Sequence, residues 1–212
     1  MNRIGPVEAG FDPGAHTLLT FRRKDSGQYP AAEQDVGSAL AYLSDHAGQY
    51  GIEPDRMMLL GHSAGALLVA LTSTDPSFVL RAGLPLDHVA CTAPLDTTYD
   101  IAAQIAGGGT AEPMFRNAFG HDPAAWDRAS PLRNVASNKG IPSFHIVTRG
   151  TPGRVAQSQD FGATLGSRSI AADVQVVTGL SHEEVNAAVG MAGDTRVTPQ
   201  LMAFFRRCAH AS

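Results

Sequence analysis

The sequence predicts an α/β domain in three layers, with a mostly parallel sheet in the middle and helices on both faces. Two observations carry that reading. Short apolar runs of strand length alternate along the chain with longer stretches of helical period. At one junction, Met57-Met58-Leu59-Leu60 is followed at once by Gly61-His62-Ser63-Ala64-Gly65 and then by Ala66-Leu67-Leu68-Val69-Ala70-Leu71. That is a strand turning directly into a helix, and strand runs with so few polar residues belong to a sheet buried on both faces.

Taken in order, residues 1–15 carry three glycines and two prolines and read as loop. His16 to Phe21 is a plausible strand, closed by the charged stretch Arg22 to Gly27. Pro30 opens a helix whose Val36, Leu40, Leu43, Ala47 and Tyr50 recur on one face, and Gly51 ends it. Residues 57–60 form the next strand, and the helix after Ser63 completes a crossover unit of a parallel sheet. His88 to Ala93 is a buried strand stopping at Pro94-Leu95-Asp96. The region of about 97–140 shows no period and is expected to be an irregular cap or insert over the site; it holds Gly107-Gly108-Gly109 and Trp126. Ser143 to Thr148 is a strand, Val155 to Gly166 a helix, and Val174 to Val177 the last strand. A short helix follows Thr178 to Glu184. Thr198-Pro199 starts a terminal helix with Leu201, Met202, Phe204 and Phe205 on its apolar side. With no repeat and no linker, 1–212 is expected to be one domain.

The composition narrows the function. Hydrophobic residues make up 43% of the 212 positions, enough for one sizeable core, and no apolar run is long enough for a membrane span. A net charge of −4, with basic clusters no larger than Arg22-Arg23-Lys24 and Arg206-Arg207, argues against a nucleic-acid partner. Cys91 and Cys208 lack motif spacing and read as two buried, unlinked side chains; with no signal-peptide pattern at the start, a cytoplasmic protein is expected. No His, Cys, Asp and Glu set has metal-ligand spacing, so a metal mechanism is disfavoured.

The chemistry-bearing motif is Gly61-His62-Ser63-Ala64-Gly65. A G-x-S-x-G between strand and helix is a nucleophile elbow, a turn so tight that its neighbours must be small; Gly61 and Gly65 are read as supplying that clearance. It lifts Ser63 above the sheet at the amino end of the helix, where the Ala64 backbone N–H favours a developing negative charge. A serine hydroxyl needs a base in hydrogen-bond reach. His182 follows the last strand directly and so belongs on the same carboxyl edge of the sheet as Ser63. His62 is read as packing or pocket lining, and His145 as a core residue.

Tyr29 to Val36, Tyr50 to Arg56, Gly61 to Gly65 and Ser181-His182-Glu183-Glu184-Val185-Asn186 together resemble the α/β-hydrolase superfamily. They are most similar to its esterase and lipase branch, which includes arylformamidase-like and carboxylesterase-like members. The resemblance covers roughly residues 16–207. It implies that fold in truncated form, cofactor-free hydrolysis of an acyl bond, Ser63 as nucleophile and His182 as base.

The chain departs from the family in two ways. The acid usually sits in a His-Gly-x-x-Asp-x-x-Val setting after the next-to-last strand, and aligning Val155 puts Pro152 there. Asp96, just past the 88–93 strand, is the substitute at a neighbouring strand end, with an ordinary loop-starting Asp as the plain alternative; Asp160 on the following helix is the poorer candidate. The family's His-Gly-Gly motif, source of the second oxyanion donor, is also missing, as are the strands before it. The 16–21 strand shifts into the vacant place beside the nucleophile strand, or a second chain fills it, or the chain is truncated; Glu8 to Gly14 is one place from which a donor would come.

The expected function is therefore a serine hydrolase cleaving carboxylic esters, or N-acyl amides, through an acyl-enzyme on Ser63, with Ala64 in the oxyanion hole. Its alternative is an impaired relative serving as a binding or assembly subunit. With the family's first strands missing, the edge at His16 to Phe21 is bare, and a homodimer with residues 1–21 in its contact is the expected state.

Overall fold

Four apolar strands form a single parallel sheet in the order β1-β2-β3-β4. They are β1 (Met57–His62), β2 (Val89–Leu95), β3 (Ser143–Arg149) and β4 (Ala172–Val177). The computed structural model describes residues 28–210; the loop read over 1–15, the strand read at 16–21 and the turn that closes it lie outside them. Register pairs Leu59 with Thr92, Leu95 with Val147, and Val147 with Gln175. Because all three strand pairings are parallel, all four carboxyl ends open on one edge.

Helices cover both faces. On one lie α1 (Ala31–Asp45) with the single turn α2 (Ala47–Tyr50), α3 (Ala64–Thr74), α4 (Ser77–Arg81) and, further along the chain, the helix Pro152–Ser167. There Val36 and Leu40 pack with Met57, Leu59 and Val69, while Ala70 packs with Phe144, Ile146, Phe161 and Leu165. On the other face, Cys91, Ala93, Leu95 and Val147 meet Val185, Leu201, Phe204 and Cys208. Alternate residues of β3 divide between the two cores, Phe144 and Ile146 to one and Val147 to the other, as the period of a strand requires.

The stretch of about 97–140 is helical rather than irregular. It folds as α5 (Ile101–Ala106), α6 (Glu112–Phe119), α7 (Pro123–Arg128) and α8 (Pro131–Asn134). These helices span four to eight residues, too few turns for a period to show in the sequence. Their start signals are local instead. Asp100 and Asp122 accept hydrogen bonds from the backbone N–H groups of Ala103 and Ala124, and prolines stand in the first turns of the last three. Then come α9 (Pro152–Ser167), α10 (His182–Ala188) and α11 (Thr198–His210). Pro152 starts α9 three residues earlier than its apolar period, because proline suits the first helical position.

Cys91 of β2 and Cys208 of α11 are joined by a disulfide, so the reading of two unlinked cysteines is corrected. They lie 117 residues apart in sequence, and only the docking of α11 on the second face of the sheet brings them together. His145 is 1% exposed in the middle of β3, bonded through its ring nitrogens to Asp173 and Gln175 of β4.

Candidate active site

The elbow is a consequence of backbone crowding. Ser63 holds φ 57° and ψ −118°, a conformation that a residue with a Cβ adopts only under constraint. The turn brings the backbone at 65 against residue 61: a Cβ on Gly61 would stand 2.3 Å from the Gly65 carbonyl oxygen. Gly61 is therefore required by the fold. Gly65 is not required in the same way, since a Cβ there would meet nothing within 4 Å. The Ser63 N–H donates to the Leu95 carbonyl at 3.0 Å, tying the elbow to the end of β2. The serine is partly exposed and Ala64 is exposed, and the Ala64 N–H, at the first position of α3, has no acceptor within the helix.

His182 reaches this serine from the far side of the sheet. Leu180 anchors its loop in the core, and Ser181 caps α10 with a capping box shared with Glu184. Ser63 Oγ lies 2.8 Å from His182 Nε2, and His182 Nδ1 lies 2.6 Å from Asp96 Oδ2. With a carboxylate on Nδ1, that nitrogen carries the proton, and Nε2 is left as the acceptor of the serine O–H.

Asp96 is 1% exposed and has φ 50°. Its N–H donates to the Val147 carbonyl at 2.8 Å, so β3 sets the backbone that aims its carboxylate. The Arg149 Nε stands 3.2 Å from Asp96 Oδ2, and the Arg149 N–H donates to Oδ1 at 3.4 Å. Asp160 is exposed on α9, and Pro152 occupies the helix's first turn.

Two nearby groups make contacts that the sequence reading did not assign. His62 Nε2 donates to the His182 carbonyl at 2.9 Å, and the two rings lie 4.4 Å apart. It thus joins the elbow to the histidine loop rather than merely lining a pocket. Burial pushes its basicity down, so the neutral ring is favoured. Arg154 of α9 lies near Asp96 and Tyr99 and is itself partly desolvated, which weakens its protonated form. Burial likewise pushes the Tyr99 phenol upward, and it stays neutral. Position before the nucleophile was the only available hint for His62; for Arg154 there was none.

The arrangement can remove a proton from a hydroxyl, hold the resulting imidazolium against a buried carboxylate, and offer a helix-end N–H to an oxyanion.

Comparison with known proteins gives a consistent picture. The BD-FAE family matches residues 8–80. The chain is 28% identical over 159 residues to esterase LipQ of Mycobacterium tuberculosis, covering 69% of this chain and 37% of that protein. It thus spans little more than a third of that relative's length. Among solved structures, an esterase of the fungus Rhizomucor miehei superposes with a TM-score of 0.73 at 15% identity, over 91% of this chain and 64% of that one. A truncated carbohydrate esterase from gut microbiota gives 0.73 at 21% identity, over 92% and 74%. Its parallel sheet and strand-elbow-helix turn thus share the fold of these esterases, and its sequence is similar to that of an esterase over most of the chain.

Proposed function

We propose that this chain is a serine hydrolase that cleaves carboxylic esters, and N-acyl amides of similar shape, without a cofactor. The observation that carries the proposal is the unbroken line of contacts from Ser63 Oγ through His182 to Asp96. Ser63 attacks the acyl carbonyl while His182 Nε2 takes its proton. Asp96 holds the imidazolium that results. The Ala64 N–H stabilises the tetrahedral oxyanion, His182 returns the proton to the leaving group, and water then releases the acyl group by the same route. The alternative of a binding subunit rested partly on the lack of an acid at Pro152; the contact of Asp96 with His182 weighs against it.

The outer edge of β1 has no strand partner among the described residues, and Leu60 on it is 39% exposed. A second copy of the chain against that edge is the proposed assembly. No helix of the described residues is long and apolar enough to cross a membrane. The cytoplasmic expectation leaned on two unlinked cysteines. A disulfide persists in oxidising surroundings, and the proposal moves to a compartment of that kind.

The test is hydrolysis of p-nitrophenyl acetate and labelling by a fluorophosphonate probe. Both should vanish in Ser63→Ala with the fold kept. Equal turnover in the variant would end the hydrolase reading.

A further inference from the structure

We infer that Arg149 is a positioning residue for this reaction, acting on His182 through Asp96; the inference rests on the hydrolase reading above. The Asp96 side chain is fully buried, with 0% of its surface exposed, at a strand end. A carboxylate in that setting is unstable as an anion without a cation or donors close by. Its partners are few. His182 Nδ1 is on Oδ2, the Arg149 guanidinium Nε is 3.2 Å from the same oxygen, and the Arg149 backbone N–H is on Oδ1. Arg149 is thus the residue that touches both carboxylate oxygens, and it does so from two of its own groups.

The two contacts have different origins. Arg149 ends β3, where pairing with Val177 of β4 sets its backbone, so its N–H approaches Oδ1 whatever side chain it carries. The Nε contact depends on the side chain. It is an ion pair without an aligned hydrogen bond, for Nε is buried and donates to no acceptor. Its contribution is therefore charge beside Oδ2. Without that charge the carboxylate is free to turn, and the Nδ1 contact that orients the imidazole is weakened. The rest of the surroundings put no second cation in contact with Oδ2, although Arg154 lies near enough for its charge to be felt at Asp96. His62 faces the His182 ring with its protonated form disfavoured by burial, and Arg154 makes no ion pair with Asp96 among the described residues. The remainder of the Arg149 side chain is 30% exposed, so a small cation from solvent can reach the place it would vacate.

The experiment uses the full chain and p-nitrophenyl acetate, with Arg149→Met, Arg149→Lys, Arg149→Ala, Asp96→Asn and the double variant Asp96→Asn/Arg149→Met. Arg149→Met should lower kcat about tenfold or more and leave KM within about threefold, the pattern of a group acting on the chemical step. Arg149→Lys should recover part of the loss. Added guanidinium salt, well below unfolding concentrations, should raise kcat of Arg149→Ala several-fold where sodium chloride of equal ionic strength does not. The double variant should be no slower than Asp96→Asn, because the arginine has nothing left to act on. A folded Arg149→Met with wild-type kcat, or losses that multiply in the double variant, would overturn the inference. If the methionine and alanine variants give no cooperative melt, Arg149→Gln, which keeps a polar side chain without the charge, decides: a lowered kcat with KM kept supports the inference, and wild-type kinetics refute it. Equal turnover by wild type and Ser63→Ala is a separate outcome that removes the hydrolase reading and this inference with it.

Discussion

Asp96 Oδ2 lies 2.6 Å from His182 Nδ1, although 86 residues separate them and Asp96 directly follows β2, the strand beside β1 and the Ser63 elbow. The family's usual position for such an acid lies one strand further along, where this chain has Pro152. At the carboxyl edge of a parallel sheet, neighbouring strand ends are about 5 Å apart, so a carboxylate can serve the same imidazole from either one. What makes β2 work here is the backbone: the positive φ of Asp96 and its N–H bond to Val147 turn the side chain toward the histidine.

Asp96→Asn should therefore lower kcat about a thousandfold or more, since an amide favours the wrong imidazole tautomer. Asp160→Asn, on the exposed side of α9, should change nothing. Steady-state kinetics on folded variants make the comparison, and the opposite order would assign the acid to α9.

The two elbow glycines should respond differently. Gly61→Ala forces a Cβ to 2.3 Å from a backbone oxygen and should cost about 3 kcal/mol or prevent folding. Gly65→Ala places its Cβ in open space within a helix and should hold or raise stability by up to about 1 kcal/mol. Urea unfolding of both variants checks this.

Glu33 gives stability a pH dependence. It is 2% exposed in α1, and burial pushes its carboxyl up to about 7. The folded chain thus holds a proton that the unfolded chain releases near pH 4.5, and stability falls as pH rises through the window from 4.5 to 7. Glu33→Gln should remove that slope and gain on the order of 2–3 kcal/mol at pH 8 relative to wild type. Melting curves between pH 4 and pH 8 would show two parallel profiles if Glu33 were not responsible.

The Cys91–Cys208 bridge closes a long loop and should contribute about 3–5 kcal/mol. Melting with and without a reducing agent should differ by several degrees or more, and Cys208→Ala should match the reduced protein. Identical transitions would mean that the bridge adds nothing to the stability of the fold.

Light scattering at micromolar concentration should find a dimer, with β1 at its contact. Placing a lysine at the exposed Leu60 should shift the equilibrium toward monomer, because a charge on an edge strand opposes strand pairing. A monomer of 22.2 kDa in the unaltered chain would remove the proposed assembly.

The features legible in the sequence are those encoded by neighbours. The apolar run Met57 to Leu60, the elbow and the apolar start of α3 are contiguous, and strand and helix periods differ enough to separate them. The four described strands, the helices at 31–45, 64–74, 152–167 and 198–210, and the positions of Ser63 and His182 on one edge all follow from such local patterns and from the rule that parallel strands share a carboxyl end. The short helices α5 to α8 escaped because their caps, Asp100 and Asp122, carry the signal without a period behind them.

Local sequence cannot encode a distance between strands that pair across the sheet, and there the tertiary structure alone decides. It chose Asp96 as the group on His182, brought Arg149 to that carboxylate, turned His62 onto the His182 carbonyl and set Cys91 against Cys208. Each of these contacts joins residues 53 to 120 positions apart. The chain's own order brings none of them together. The physical reason is that packing α9 and α11 on opposite faces fixes the lateral place and twist of every strand end, and only then do side chains from separate strands converge on one point.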